Sequence, residues 1–316
     1  MSKEEEGENQ DEVYEKIKQS RFKQQNLPAW RPVPTIGSTT VIFMTIGVIF
    51  IALGIIILVN ANKINEEKTR YDDKCDEKGN CTVNFTLKKK LKKDIMVYYE
   101  IDNFYQNHRR YVKSRNDDQL KGKEVNKKTL EKDCDPVVTN DDMKKIKNIV
   151  DGKNLTLKEV AVPCGLIAQS FCNDTYTLSL NNGTKIIINE SNIAWSADKS
   201  KKFKNSNDKS KQWIDMENEH FIVWMRPAAL PNFRKLWGRI KQDLDKGNYI
   251  LNVISENCNV SSFDGKKFFI LSEVNKFGGN NKFLGICYII VGGVSIILSI
   301  VFIIGFKMHQ KKEKEV

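Results

Sequence analysis

The stretch TIGSTTVIFMTIGVIFIALGIIILVNA, Thr35 to Ala61, runs for 27 residues without one charged side chain. As a helix rising 1.5 Å per residue it reaches roughly 40 Å, and a bilayer core is about 30 Å thick. A second uncharged stretch, FLGICYIIVGGVSIILSIVFIIGF, runs from Phe283 to Phe306. In a 316-residue chain of which 29% is charged, such gaps are conspicuous. A core helix of a globular domain seldom runs this far without a charge, so both segments are read as membrane spans. The first starts too late, and is too long, for a cleaved signal peptide; it reads as an uncleaved signal anchor. Gly47, Gly54, Gly285, Gly292 and Gly293 leave room for close helix approach, although glycine is common in membrane helices in any case.

Two spans put both termini on one side and the long middle on the other. The expected organisation is a cytosolic tail over 1–34, a span over 35–61 and an ectodomain over 62–282. A second span over 283–306 and a short cytosolic tail over 307–316 complete it. The formal charge of +11 belongs to the middle, which holds 41 Lys and Arg against 31 Asp and Glu, a net of +10. Flanking charges do not orient the spans, because long loops translocate regardless of charge. Sequons and cysteines do. Glycosylation acceptors occur at Asn80, Asn84, Asn154, Asn173, Asn182, Asn189 and Asn259, all in the middle. Asn80 is the weakest of them, because its neighbour Cys81 is a candidate for bonding. Six of seven cysteines are there too: Cys75, Cys81, Cys134, Cys164, Cys172 and Cys258. None forms a CxxC pair, and no histidine spacing supports zinc, so an even count in a lumenal loop reads as disulfides. Cys287, inside the second span, reads as a small packing residue.

This topology bears on NFYQNHRRYVKSR, Asn103 to Arg115, which packs four cations, three aromatics and a histidine into thirteen residues. In a soluble protein it would suggest nucleic acid. Facing the lumen or the cell exterior, it does not, and no nucleic-acid partner is expected.

The middle is expected to be a mostly antiparallel β ectodomain with short helices and long loops. DIMVYYEI, TYTLSL, TKIIINE, HFIVWMR, NYILNVI and KKFFILSEV are β-branched or aromatic runs punctuated by NNG, KGN and FDG. NFYQNHRRYVKS is expected to be helical. So is PNFRKLWGRI (Pro231 to Ile240), with proline at its start and Phe233, Leu236, Trp237 and Ile240 at helical spacing. KSKKFKNSNDKSK (Lys199 to Lys211) reads as a low-complexity loop with solvated cations. NLPAWRPVPT, around Trp30, cannot be regular helix, and Trp30 and Arg31 suit a membrane-edge anchor or a partner contact.

Catalytic signatures are absent from the sequence. There is no GxxxxGK[ST], GxGxxG or HExxH, no DKTG phosphorylation sequence, and the three histidines are scattered. No catalytic, cofactor or metal residue is expected.

Several blocks together resemble one family, the accessory (beta) subunits of type-four P-type lipid flippases, called the cell-division-cycle-fifty or ligand-effect-modulator family. They are NLPAWRP, NFYQNHRRYVKSR, VPCGLIAQSFCNDT, IAWSADKSKKFKN, FIVWMRPAALPNFRKLWGRI, GNYILNV, SFDGKK and FLGICYI, in that order. The resemblance implies a non-catalytic subunit that binds a type-four P-type ATPase and escorts it from the endoplasmic reticulum. It would support aminophospholipid movement from the exoplasmic to the cytosolic leaflet, in secretory or plasma membranes. It also implies a disulfide between Cys134 and Cys164, a mate for Cys81 in Cys75, and glycans at Asn84 and Asn173. Cys172 and Cys258 look like additions, paired with each other. The first cysteine cluster has two members where many relatives have four, and RNDDQL replaces an aspartate-rich run, which leaves the ATPase and lipid open. Two jobs stand for the basic stretch. Its aromatics anchor the core while some of Arg109, Arg110, Lys113 and Arg115 form buried or semi-buried pairs with ectodomain acids, or those cations face the ATPase or anionic headgroups. The rival to the whole reading is a stand-alone adhesion or lipid-binding receptor.

Overall fold

The computed structural model describes residues 15, 18–25, 35–144, 147–255, 258, 260–274, 278–279 and 281–315, with side chains to 311. The chain divides into two units. One comprises residues up to Ile55 and from Ile286 onward, the other Ile56–Gly285.

The first unit is a pair of long helices, α1 (Ile36–Asn62) and α9 (Phe283–Glu315). Their apolar stretches cover 27 and 29 residues, long enough to cross a bilayer. Large apolar side chains are exposed along both helices, which suits hydrocarbon and not water. The helices run antiparallel and meet at glycines. A Cβ on Gly47 would lie 2.6 Å from Ile296 and 2.9 Å from the Gly292 carbonyl; one on Gly292 would lie 2.8 Å from the Gly47 carbonyl. This is the close approach that small residues permit between membrane helices. Ser299 adds a hydrogen bond to the Thr40 carbonyl at 3.1 Å, and Phe50 packs edge-on against Tyr288.

The second unit is built on two four-stranded antiparallel sheets. Its strands are β1 (Glu66–Arg70), β2 (Asn80–Leu87), β3 (Ile95–Ile101), β4 (Thr175–Leu180), β5 (Lys185–Ile186), β6 (Phe233–Ile240), β7 (Gly247–Ile254) and β8 (Lys267–Ser272). Sheet I has the order β1-β8-β3-β6 and sheet II the order β2-β7-β4-β5. Alternation drives the pairing of faces. Ile95, Val97, Tyr99 and Ile101 of sheet I are buried, as are Tyr249, Leu251 and Val253 of sheet II. Each such side chain contributes about 1.5–3 kcal/mol on burial. Tyr176 joins the two sheets, with its ring 5.1 Å from Trp237 and 5.4 Å from Phe269.

A polar bolt runs through this core. Lys267 of β8 meets Asp174, just before β4, at 2.8 Å, and both side chains are almost wholly buried. Tyr71 donates to the same carboxylate oxygen at 2.6 Å, and Lys267 also donates to Ser255 Oγ and the Cys258 carbonyl. Burial, then the neighbouring Tyr176 and Asp174, pushes Tyr71 well above the ordinary phenol range.

Among the described residues, seven short α-helices lie between strands: α2 (Arg109–Lys113), α3 (Asp117–Leu120), α4 (Lys127–Asp133), α5 (Asn140–Met143), α6 (Leu166–Gln169), α7 (Ser196–Lys201) and α8 (Glu219–Trp224). Three disulfides fasten them and the strands: Cys75–Cys81, Cys134–Cys164 and Cys172–Cys258. Their separations of 6, 30 and 86 residues correspond to roughly 2, 3.5 and 4.5 kcal/mol of chain-entropy stabilisation.

Four local expectations are corrected. Pro231–Ile240 is not helical; residues 233–240 are β6. The register of β3 on β6 slips between Val97 and Tyr98, pairing Val97 with Gly238 but Tyr98 with Leu236. The extra residue of this bulge brings Phe233, Trp237 and Ile240 to one face, a spacing that imitates a helix. HFIVWMR is not a strand. Asn218 accepts from the His220 and Phe221 amides and starts α8, whose Phe221, Ile222 and Trp224 are buried. TKIIINE forms a strand only at Lys185–Ile186, with a single further bridge from Asn189 to Arg239, and Ile187 is 81% exposed. Finally, three cations of Lys199–Lys211 are engaged rather than merely solvated: Lys199 with Glu219, Lys202 with Asp198 and Lys211 with Asp208.

Candidate functional site

The stretch after β3 organises the helical layer. Asn103 adopts φ +56°, a left-handed turn that asparagine tolerates, and its amide donates to the Phe263 carbonyl at 2.6 Å. The chain then drives Phe104 into an aromatic cluster, with Tyr111, Trp224, Phe233 and Phe263 all within 6.1 Å between ring centres. Gln106 is wholly buried and satisfied, donating to Tyr111 and accepting from the Ala228 amide. Burial pushes the Tyr111 phenol up to about 12, so it stays neutral and bonds to Ser170 at 2.7 Å.

The next residues tie this layer to the Cys134–Cys164 bridge. Ser114 Oγ donates to the Cys134 carbonyl and accepts from the Leu166 amide. Gln119 donates to the Ala161 carbonyl and accepts from the Cys164 amide. Gly165 has φ +104°, and a Cβ there would lie 2.2 Å from the Ser114 carbonyl, so only glycine fits. NFYQNHRRYVKSR and VPCGLIAQS therefore make one packed unit.

The cations are turned outward. Arg110 approaches Asp135 at 3.6 Å with both side chains about two-thirds exposed, and half-buried Arg115 reaches Asp117 at 3.1 Å. Arg109 and Lys113 are exposed. Of the buried or semi-buried pairs expected from sequence, Arg115–Asp117 is half-buried on the arginine side only and Arg110–Asp135 is a surface pair, so neither adds much stability. His108, Arg109, Arg110, Lys113 and Lys132 line one cleft of about 440 Å³ together with Asp133 and Asp135. A second, of about 410 Å³, has Arg115, Lys121, Lys202 and Arg226, with Asp117 and Asp198 among them, around an apolar floor that includes Phe203 and Met225.

Three features of this rim escaped sequence reasoning. Trp195 is 64% exposed and carries the Arg226 guanidinium 3.5 Å from its ring centre. Arg226 is held there by buried Asp198 at 2.8 Å. Beneath it, Lys235 donates to the carbonyls of Val223, Trp224 and Arg226 at the end of α8. Burial, followed by the charge of Arg226, pushes its ammonium down to about 7. Glu219 closes the rim. Burial would raise it, yet Lys199 and the Asn192 and Ala194 amides outweigh that and hold it at about 2. The blocks IAWSADKSKKFKN and FIVWMRPAALPNFRKLWGRI contain Trp195, Asp198, Lys199, Arg226 and Lys235, and Glu219 lies just before the second, but nothing local shows that they meet.

Trp30, Arg31 and Asn259 lie outside the described residues. Asn84, Asn154, Asn173 and Asn182 are exposed. Asn189 is half-buried, its backbone paired with Arg239 and its side chain accepting from Ser191. The one cluster with metal-ligand chemistry among the described residues is Cys172, Asp174 and Cys258, and its two sulfurs are bonded to each other. The arrangement can hold anionic or acidic surfaces at its rim.

The pattern of the LEM3 (ligand-effect modulator 3) family / CDC50 family matches residues 59–312. The chain belongs to this family. The match takes in both sheets, all three disulfides and the whole helical layer. ALA-interacting subunit 3 of Arabidopsis thaliana is 39% identical, with 93% of this chain and 87% of that protein aligned. Cell cycle control protein 50A of Bos taurus is 39% identical over 90% and 87%. Cell cycle control protein 50C of Macaca fascicularis is 33% identical over 89% and 90%. Two apolar helices flanking an antiparallel, disulfide-bonded β domain are thus the frame on which this LEM3/CDC50 chain carries its basic rim.

Proposed function

We propose that this chain is the non-catalytic accessory subunit of a phospholipid-flipping P-type ATPase. Both tails are cytosolic, and residues 62–282 form the lumenal or extracellular domain. The subunit accompanies the ATPase out of the endoplasmic reticulum, stabilises it, and supports movement of aminophospholipids from the exoplasmic to the cytosolic leaflet. The carrying observation is the family match over residues 59–312, together with near full-length similarity to a protein named as an ALA-interacting subunit. Two membrane-length helices, three disulfides and the sequons support the topology. Arg109, Arg110, Arg115, Arg226 and Trp195 supply an outward charged and aromatic rim for the partner, and Trp30 with Arg31 serves the cytosolic edge.

The test is co-expression with candidate P-type ATPases, purification in mild detergent and labelled-lipid uptake. A stoichiometric ATPase and uptake that needs this chain are expected. Purification of the chain alone, with uptake unchanged by its absence, would instead favour the stand-alone receptor.

A further inference from the structure

Sheet edges expose unpaired backbone groups, and proteins blunt them with charge, proline, bulges, shortness or cover. Three of the four edges here follow that rule. β1 is five residues long and four are charged. β5 has two residues. β6 carries Arg234, Lys235 and Arg239 and is met on its far side by Asn189, with two backbone bonds of 2.8 Å to Arg239.

β2 follows none of it. NCTVNFTL is eight residues long, without a charge or proline, and its register on β7 runs unbroken from Asn80–Ile254 to Leu87–Gly247. Among the described residues its other edge is met only at its start, where Cys75 bridges Cys81 and Asp76 bonds the backbone of Asn80. The sheet face above this edge is equally bare. Asn80, Thr82, Asn84 and Thr86 line up with Ile254, Asn252, Ile250 and Asn248, then with Thr175, Thr177 and Ser179. At the chain-wide share of 29%, eleven positions would hold about three charges, and these hold none; the first charge is Lys185 of β5, beside Ser179 at the far margin of the face. Thr82 and Thr86 donate to Asn252 and Asn248, which leaves Asn84, in an NFT sequon, exposed and without a side-chain hydrogen bond among the described residues.

We propose that an N-linked glycan on Asn84 is the guard of this edge, excluding strand addition and sheet stacking on the neutral face of sheet II. This rests on the lumenal placement of residues 62–282 given above. An added strand would lie about 4.8 Å from β2 and a stacked sheet about 10 Å above it, both inside the space of a branched sugar rooted on the edge strand. The sequons at Asn173 and Asn182 stand at the margins of the same face, with Thr175 of the first lying on it.

The test uses the full-length chain in detergent. Occupancy at each sequon is read by glycosidase-dependent mass shift, and association by light scattering on a sizing column. N84Q removes the glycan. T86K also removes it but places a charge on the same outward face. Native deglycosylation of the folded wild-type protein separates guarding from folding. The expected result is a severalfold rise in oligomer for N84Q and for the deglycosylated protein, new amide protection over residues 82–87, and a monodisperse T86K. If N84Q and T86K behave alike, or if Asn84 is bare while other sequons are occupied, the inference is overturned and the topology stands. If no sequon is occupied, both fall.

Discussion

On the outer face of sheet I, Lys68 of β1 reaches over Phe268 to Glu100 of β3 at 2.5 Å, and Arg234 of β6 bonds both Glu100 and Glu66 at 2.8 Å. On the outer face of sheet II, eleven facing positions of β2, β7 and β4 carry no charge, Lys185 of β5 stands only at the far margin, and the strongest links are Thr–Asn bonds of 2.7 and 2.9 Å. The first face seals itself. Four long side chains from three strands roof an apolar layer, and Ile270 beneath them has no exposure. The second face offers small neutral side chains and, on the proposal above, would be covered by glycans on its sequons. The difference teaches that a charged roof seals a sheet from within its own chain, whereas a neutral platform needs cover from outside it.

The sharpest way to break the comparison is at the bolt that joins the two sheets. Asp174→Asn keeps the Asn173 sequon but leaves Lys267 charged, buried and without its carboxylate. The expected loss is about 3–5 kcal/mol in denaturant unfolding, larger than for any change on either outer face. A loss below that of the roof variant would mean the two sheets do not share one core.

Next is the roof. Glu100 is held between Lys68 and Arg234, which are themselves more than a third exposed. Glu100→Gln is expected to cost about 1–3 kcal/mol, with the wild-type advantage shrinking as salt is added. A salt-independent loss would assign the effect to packing over Ile270 instead of charge.

Acid sharpens the contrast, because none of the eleven neutral positions carries a carboxylate to titrate. Folded Glu219 keeps its charge down to about pH 2, whereas its ordinary value is 4.5. The unfolded chain therefore binds the extra proton first. The contribution of Glu219 is complete above about pH 4.5 and is lost as pH falls towards 2. In Glu219→Gln the urea midpoint should lose part of its slope in that window and only there.

The extent of this that could be read from sequence follows the range of each signal. Hydropathy is local, so both spans were legible to within a few residues. Strict alternation made β3, β4, β7 and β8 legible for the same reason. β6 misled because one bulge residue turned a period of two into the spacing Phe233–Trp237–Ile240. The run before Met225 misled because a six-residue buried helix shows an apolar block and no polar face, leaving Asn218 as its sole signal. The rim was half legible. Arg109, Arg110 and Arg115 stand in one stretch, but Trp195 meets Arg226 from 31 positions away, and the roof joins residues 66, 68, 100 and 234. No local pattern encodes such meetings.

The smallest expected effect lies on the neutral face and decides what that face is for. Asn252 sits at the centre of sheet II and accepts from Thr82 at 2.9 Å, an exposed bond between neutral groups. Replacing it by alanine removes one cross-strand pair, worth under about 1 kcal/mol. No charge is stranded and no apolar layer is opened, so the unfolding midpoint should barely move. Association should not change either, because the sugar on Asn84, two residues along β2 from Thr82, would still stand over the edge. Asn252→Lys adds a charge to the same spot at equal cost. If the neutrality of the face served stability, the lysine would unfold the protein. If it served as a bed beneath a glycan, the lysine should be tolerated in folding and should suppress the oligomer that forms once the sugar is removed.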